Sequence, residues 1–186
     1  MLLGELEVAL DVGRRLDALN VPWFVGGSVA SSILGEPRAT ADVDLVADLR
    51  GSHVGALFVA LVDTYYIDED AARAAVRTRG TFNVIQLASV TKVDIYCSPD
   101  EPLAREELER RIFIEVDGQR LPCASAEDII LQKLLWFVEG GSVSDRQWRD
   151  IRGVIKVQGT ALDHAYLERH ATSHGVLELL HRALNE

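Results

Sequence analysis

Two aspartates separated by one residue, Asp42 and Asp44, are the residues of this sequence best suited to chemistry. They follow a turn of Gly26, Gly27 and Ser28, with thirteen residues between Ser28 and Asp42. Because side chains alternate along a β-strand, both carboxylates are expected on one face. Carboxylate oxygens are ligands that Mg²⁺ prefers, and glycines let a backbone approach a phosphate closely. The pattern predicts a divalent-metal site beside a phosphate-binding turn.

The glycine turn joins a predicted strand to a predicted helix. Residues 23–25 form a short apolar run, and Val29, Ile33 and Leu34 recur at helical spacing. Pro37 is expected to end this helix before the aspartate strand begins. Free N–H groups at a helix start can hold a phosphate oxygen. The helix start is therefore predicted to bind a phosphate next to the strand face that carries the two aspartates.

A third aspartate, Asp94, lies in a predicted strand that begins at Lys92. It shares a strand face with Lys92 and Tyr96. A carboxylate in the middle of a strand is unfavourable without a partner, because burying an unpaired charge costs free energy. We therefore expect Asp94 to be a third metal ligand. The alternatives are an ion pair between Asp94 and Lys92, or a solvated position at the edge of a sheet.

Three carboxylates on neighbouring strands suit two-metal phosphoryl or nucleotidyl transfer. In such sites two ions about 4 Å apart clamp the attacking and leaving oxygens. Clustered aspartates select hard ions, so we expect two Mg²⁺ ions, with Mn²⁺ as a substitute. The sequence contains neither the glycine-rich motif of P-loop proteins nor that of dinucleotide-binding folds.

The composition is that of a globular protein, with 186 residues, 48% hydrophobic residues and a net charge of −10. The apolar runs are far shorter than a membrane span, and no secretory signal is recognisable, so we expect a cytoplasmic protein that does not bind membranes. The acidic balance disfavours extended DNA binding. A local basic cluster remains a candidate for a phosphate or a short RNA region; it comprises Lys133, Arg146, Arg149, Arg152 and Lys156.

The two cysteines, Cys97 and Cys123, lie far apart and form no Cys-x-x-Cys pattern. This spacing argues against both a zinc site and a disulfide framework. Buried, reduced thiols are therefore expected.

Hydrophobic periodicity predicts helices and strands in alternation up to Cys123, and helices alone from Ala124 onward. The predicted helices span residues 2–19, 28–34, 51–63, 68–77, 101–110, 125–139, 144–157, 163–171 and 175–184, and the predicted strands span residues 23–25, 42–48, 65–67, 81–87, 92–96, 112–116 and 120–123. This order is typical of an α/β (α+β) protein with a small mixed sheet flanked by helices. We expect residues 1–123 to form the catalytic core and residues 124–186 a C-terminal helical region packed on it.

The spacing from the Gly27-Ser28 pair to Asp42-Val43-Asp44, followed by Asp94 on a later strand, resembles the signature of the polymerase-beta-type nucleotidyltransferase superfamily. Within that superfamily, residues 24–28 and 38–45 are most similar to bacterial AbiEii-type (abortive-infection toxin) nucleotidyltransferases. Their downstream helical motifs resemble segments of the C-terminal third, namely Ser125-Ala126-Glu127-Asp128, Lys133-Leu134, Asp145-Arg146 and Asp150-Ile151. The resemblance covers residues 22–155.

The resemblance implies a nucleotidyltransferase fold and a role for each matching residue. Asp42 and Asp44 would bind magnesium, and Asp94 would complete the metal site or act as a base on the acceptor hydroxyl. The resemblance further implies that Gly26, Gly27 and Ser28 hold the triphosphate and that Arg38 neutralises the leaving pyrophosphate. Lys133 would contact a phosphate, and Asp145 or Asp150 would be the acid paired with that lysine.

The implied activity is transfer of a nucleoside monophosphate from a nucleoside triphosphate, such as ATP, to a hydroxyl of a protein, an RNA or a small molecule. A toxin paired with an antitoxin is one form of this activity. An aminoglycoside-type small-molecule nucleotidyltransferase is an alternative. A second alternative is a noncatalytic, partner-binding module with the same fold.

Overall fold

The structure is a computed structural model that describes residues 2–40 and 42–186. Met1 and Ala41, the second of which belongs to the aspartate motif, lie outside the described residues. The elements are α1 (Leu2–Ala18), β1 (Trp23–Val25), α2 (Gly27–Leu34), β2 (Asp42–Ala47), α3 (Gly51–Leu61), β3 (Tyr65–Ile67), α4 (Glu69–Thr78), β4 (Thr81–Gln86), β5 (Lys92–Cys97), α5 (Pro102–Arg110), β6 (Ile112–Val116), β7 (Gln119–Cys123), α6 (Ala126–Glu139), α7 (Asp145–Gln158), a 3₁₀ turn (Gly159–Ala161), α8 (His164–Ser173) and α9 (Leu177–Asn185).

The strands within the described ranges form one mixed sheet in the order β3-β4-β5-β2-β1-β7-β6. The pairs β2–β5 and β1–β7 are parallel, and the other neighbouring pairs are antiparallel. Helix α1 contacts β1 and β2, and α4 contacts β4. The predicted fold class, a mixed sheet flanked by helices with a helical C-terminal part, is confirmed. The predicted element bounds differ from the observed ones by at most two residues.

Alternation along the strands separates the hydrophobic core from the face that carries the aspartates. In β5 the side chains of Val93 and Ile95 are fully buried, whereas Asp94 between them is partly exposed. In β2 Val43 is likewise buried and Asp42 before it is exposed. The core therefore lies on one side of these two strands and the acids lie on the other.

Short polar side chains fix the starts of several helices. The Ser125 hydroxyl accepts a hydrogen bond from the Asp128 N–H at the start of α6. Ser144 caps α7 in the same way, and Asp163 caps α8. Each cap satisfies an N–H group that has no acceptor within its own helix.

The chain forms two compact units. The first comprises Met1–Val29 and Ala39–Cys123, and the second comprises Ala30–Arg38 and Ala124–Glu186. In the second unit α6 contacts α7 and α8, and α9 contacts both α7 and α8. No helix within residues 2–40 and 42–186 combines the length and the apolar character that a membrane crossing requires.

Candidate active site

The glycine turn is fastened to β2 by hydrogen bonds and by close packing. The Gly26 N–H donates to the Asp44 carbonyl oxygen at 2.9 Å. Gly27 has a φ of 54°, in the left-handed region that favours glycine, and a Cβ atom there would overlap the Asp44 carboxylate. Only glycine satisfies both conditions at position 27. The turn and the aspartate strand are therefore one rigid arrangement.

The first turn of α2 contacts one of the two predicted metal ligands directly. The backbone N–H of Ser28 donates to Asp44 Oδ2 at 3.1 Å. A carboxylate is favoured at this place because the start of a helix carries a partial positive charge. This contact fixes the Asp44 side chain beside the turn that is predicted to receive the triphosphate.

The parallel register of β2 and β5 brings acids from the two strands together. Asp44 lies opposite Asp94, and Asp42 lies opposite Lys92. Opposed residues on neighbouring strands project to the same face of a sheet. The three aspartates selected from the sequence thus share one face with a single lysine.

Lys92 is the counter-charge of this face. Its Nζ lies 2.8 Å from Asp94 Oδ2 and 4.0 Å from Asp42 Oδ2. The hydrogen bond with Asp94, aided by the charges of Asp94, Asp42 and Asp44, raises the pKa of the Lys92 ammonium. Of the two alternatives to a metal-ligand role for Asp94, the ion pair with Lys92 is therefore present. The other alternative, a position at the edge of the sheet, is wrong because β5 lies between β4 and β2.

The carboxylate oxygens of Asp42, Asp44 and Asp94 are ligands that fit a hard divalent cation. In the part of the chain that the structure describes, no three Asp, Glu, His or Cys side chains converge as a set of metal ligands. At this site the Asp94 carboxylate faces the Lys92 ammonium. A metal ion that uses Asp94 must first displace this ammonium.

The predicted site residues of the C-terminal part meet in the second unit, around Asp150. Lys133 Nζ donates to Asp150 Oδ2 at 2.8 Å and to Gln147 Oε1 at 3.0 Å. Arg38 donates from Nε to Oδ1 and from Nη2 to Oδ2 of the same carboxylate, at 2.8 and 2.9 Å. Of the two acids predicted as the partner of Lys133, Asp150 makes the contact. Asp145 is exposed, at the start of α7.

The lysine and the aspartate of this cluster are buried, although Lys133 is predicted from the sequence as part of a local basic cluster that could bind a phosphate or a short RNA region. The side chains of Lys133 and Asp150 are only 3% and 6% exposed. Burial alone would raise the pKa of the Asp150 carboxyl, but the hydrogen bonds from Arg38 and Lys133 outweigh it and hold that pKa below its usual value. Lys133 is therefore not part of a basic surface patch, because its ammonium is buried against Asp150 and Gln147.

The predicted site residues thus fall into two groups, one in each unit. Two participants were not assigned to the site from the sequence. From the sequence, Lys92 is expected only as a possible partner of Asp94, and Gln147 is not among the candidate residues. Gln147 precedes Asp150 by three positions, and residues three apart share a helix face, so helical spacing was the available signal.

No family model and no curated protein sequence matches the chain. Solved structures do match. An antigenic nucleotidyltransferase-like protein from Paracoccidioides brasiliensis is 18% identical and superposes with a TM-score of 0.60, covering 97% of this chain and 91% of that chain. The antibiotic-resistance factor ANT(2'')-Ia is 15% identical, with a TM-score of 0.56 and coverages of 98% and 99%. The lincosamide antibiotic adenylyltransferase LnuA, in its lincomycin-bound structure, is 16% identical, with a TM-score of 0.53 and coverages of 83% and 96%.

These similarities establish the fold. The chain has the nucleotidyltransferase fold that the sequence motif implied, and the match extends over most of both chains in each comparison. At these identities the comparisons concern the backbone architecture alone.

Proposed function

We propose that this protein is a divalent-metal-dependent nucleotidyltransferase. It transfers a nucleoside monophosphate from a nucleoside triphosphate to an acceptor hydroxyl and releases pyrophosphate. The observation that carries the proposal is the placement of Asp44 opposite Asp94, with the Gly27 turn in contact with Asp44. The nucleotidyltransferase fold supports it, because the chain shares this fold with a nucleotidyltransferase-like protein and with an antibiotic adenylyltransferase.

In this proposal Asp42, Asp44 and Asp94 would hold Mg²⁺, which would supply positive charge to neutralise the triphosphate. The turn of Gly26, Gly27 and Ser28 holds phosphate oxygens through backbone N–H groups. The acceptor oxygen forms a bond to the α-phosphorus while the bond from that phosphorus to the bridging oxygen breaks. Pyrophosphate leaves, and a carboxylate takes the hydroxyl proton, a role assigned to Asp94.

The roles of Arg38 and Lys133 toward phosphate remain predictions from the family resemblance. Within the second unit both side chains are bonded to Asp150. We therefore assign Asp150 a positioning role, because it fixes the direction of a guanidinium and an ammonium at once. Asp145 is not required for this role.

A cationic small molecule is the acceptor class that the observations favour. Two of the similar structures are an antibiotic-resistance factor and an antibiotic adenylyltransferase. The net charge of −10 attracts cations and repels RNA. The AbiEii-type toxin role, with a protein or RNA acceptor and an antitoxin, remains a prediction from the sequence motif.

Calorimetric titration of each nucleoside triphosphate, with and without Mg²⁺, tests the proposal. We expect Mg²⁺-dependent binding to the wild type that is lost in Asp42→Asn/Asp44→Asn. The matched control is Asp63→Asn/Asp70→Asn, which removes the same charge from exposed positions outside the site. Absence of binding to a folded wild type would overturn the enzyme proposal and favour a noncatalytic module.

The nucleoside triphosphate that binds in this titration is then used to identify the acceptor. A triphosphate labelled at the α-phosphate is incubated with cationic aminoglycosides, lincosamides, total RNA and total protein. Label transfer to a cationic small molecule supports the favoured acceptor class. Transfer to RNA or protein alone would instead support the toxin-type activity.

A further inference from the structure

Four arginines line a cavity of about 350 Å³ in the first unit, although the protein as a whole is strongly acidic. We call this cavity the arginine pocket; its lining residues are Arg50, Gly51, Arg73, Val76, Arg77 and Arg79. It is separate from the aspartate face. Asp42 begins β2 and Arg50 follows the end of that strand, and six strand residues span about 20 Å.

The pocket is built by the end of one helix and the start of another. Arg73 and Arg77 are four positions apart in α4 and therefore share a helix face. Arg79 ends this helix in the left-handed conformation, with a φ of 53°. Arg50 immediately precedes α3, whose first residue is Gly51. A Cβ atom at Gly51 would meet nothing within 4 Å, so the start of this helix is open to a ligand.

Some of the guanidinium groups already have partners. Arg50 forms an ion pair with Asp48 at 2.9 Å, and Arg73 forms one with Glu69. Arg79 donates to the backbone carbonyls of Leu49 and Ser98, at 2.9 and 3.2 Å.

These partners leave positive charge in excess. Asp48 also lies 3.7 Å from Arg79, so one carboxylate is shared between two arginines. Arg77 is exposed and forms no ion pair with any other described residue. The nearby Asp100 forms its ion pair with Arg105 at 2.5 Å, which lowers the pKa of Asp100 most, and the charges of Arg50 and Arg79 lower that pKa further. Among the described residues, the four lining arginines form ion pairs with two carboxylates, Asp48 and Glu69, neither of which lines the pocket.

We propose that the arginine pocket binds an oligophosphate anion, with inorganic pyrophosphate as the simplest example. Guanidinium groups bind phosphate through paired, charge-assisted hydrogen bonds, and several of them around one cavity match a ligand with several phosphate oxygens. Arg79 is held in place by two carbonyl oxygens, and the carboxylate of Asp48, 3.7 Å away, is shared with Arg50, so the charge of Arg79 is only partly compensated. At the start of α3 the Arg50 N–H donates to the His53 ring and the His53 N–H donates to the Arg50 carbonyl, which leaves the N–H groups of residues 51–52 as further donors for the anion.

The same phosphate chemistry occurs in free pyrophosphate, in nucleoside triphosphates and at the 5′ end of an RNA. The net charge of the protein disfavours a long nucleic-acid backbone, so the proposal is limited to the oligophosphate group. This site does not depend on the proposed transferase activity, since no residue of the arginine pocket belongs to the aspartate face.

The test is calorimetric titration of pyrophosphate into the protein in EDTA, which removes divalent metals. We expect saturable binding that Arg73→Gln/Arg77→Gln weakens by about tenfold, because two charged donors are lost. The single variant Arg77→Gln, which breaks no ion pair with another described residue, is expected to weaken binding by about threefold. Arg14→Gln is the matched control, since it removes a charge from exposed α1 and is expected to leave binding unchanged. Equal weakening by Arg14→Gln, or none by the double variant, would overturn the proposal.

Further titrations distinguish the sources of the phosphate group. A nucleoside triphosphate and a short RNA with a 5′-triphosphate should compete with pyrophosphate, whereas the same RNA with a 5′-hydroxyl should not. Equal competition by the 5′-hydroxyl RNA would overturn the proposal in favour of backbone binding. Asp42→Asn/Asp44→Asn should bind pyrophosphate in EDTA as the wild type does, so the two proposals fail independently.

Discussion

Gly27 contacts the carboxylate of Asp44 with no room for a side chain between them. The backbone of Gly27 is also in the left-handed region, so two separate constraints act on one position. The packing constraint exists only because β2 carries an acid at position 44. The glycine and the aspartate of the motif are therefore structurally coupled, whatever ligand the turn receives.

Replacing Gly27 with alanine is expected to destabilise the fold by about 3 kcal/mol, from backbone strain and overlap with Asp44. Gly118→Ala is the matched control. Gly118 also has a positive φ, of 74°, but a Cβ atom there meets nothing within 4 Å, so about 1 kcal/mol is expected. Urea unfolding measures both free energies. Equal losses in the two variants would show that Asp44 does not constrain position 27.

Lys92 is expected to compete with divalent cations for the aspartate face. Lys92→Met keeps the length of the side chain but removes the ammonium 2.8 Å from Asp94 Oδ2. Binding of Mn²⁺ to the protein without nucleotide should tighten by about tenfold, because a like charge is removed from beside the ion. The control Lys156→Met removes an exposed ammonium that pairs with Glu36. Unchanged or weaker Mn²⁺ binding in Lys92→Met would contradict the prediction.

Asp150→Asn is expected to destabilise the protein by about 3 to 5 kcal/mol near neutral pH, because it leaves the buried Lys133 without its counter-charge. Asp145→Asn, five positions away in the same helix, should cost about 0.5 kcal/mol, through the helix dipole alone. Thermal or urea unfolding of the two variants gives the comparison. Similar losses would mean that the buried cluster contributes little to the fold.

The contribution of Asp150 to the free energy of unfolding should decrease as the pH falls. The folded-state pKa of Asp150 lies below its ordinary value of 3.8, so its stabilising effect is complete above pH 3.8. It is lost as the pH falls below 3.8 and through the lower folded-state pKa. The stability gap between the wild type and Asp150→Asn should therefore narrow in that range. A gap that stays constant down to pH 2 would contradict the lowered pKa.

The two cysteines are free and buried, as predicted from their spacing. Burial raises the pKa of Cys97 to about 11 and that of Cys123 to about 12, from 9.0. The folded protein should therefore resist thiol reagents at pH 8, whereas both thiols should react after unfolding. The stability that goes with these raised pKa values is complete below pH 9 and is lost as the pH rises from 9 toward about 11 for Cys97 and about 12 for Cys123. Cys97→Ala/Cys123→Ala should show a smaller loss of stability in that range.

The order and bounds of the elements were predictable because the hydrophobic periodicity is strong. The alternation around Asp94 in β5 placed its side chain on the correct face without any structure. The position of Gly27 before a helix also followed from local spacing. These features depend on residues that are near neighbours in the sequence.

Contacts between residues that are far apart in the sequence could not be predicted from local patterns. Arg38 and Asp150 are 112 positions apart, and no local pattern indicates that one accepts two hydrogen bonds from the other. Lys133 lies on an amphipathic helix, where a lone lysine is usually solvated, yet here it is buried. The choice between a metal and Lys92 as the partner of Asp94 was also open, because sequence spacing permits both.

The parallel register of β2 and β5 ties the chemistry of this protein to its folding. Slipping either strand by one residue would turn Asp44 or Asp94 into the apolar interior and turn Val43 or Val93 out to water. Such a misaligned state would lose hydrophobic burial and desolvate a carboxylate at the same time. Substitutions that keep the apolar core of these strands therefore also keep positions 44 and 94 opposite each other.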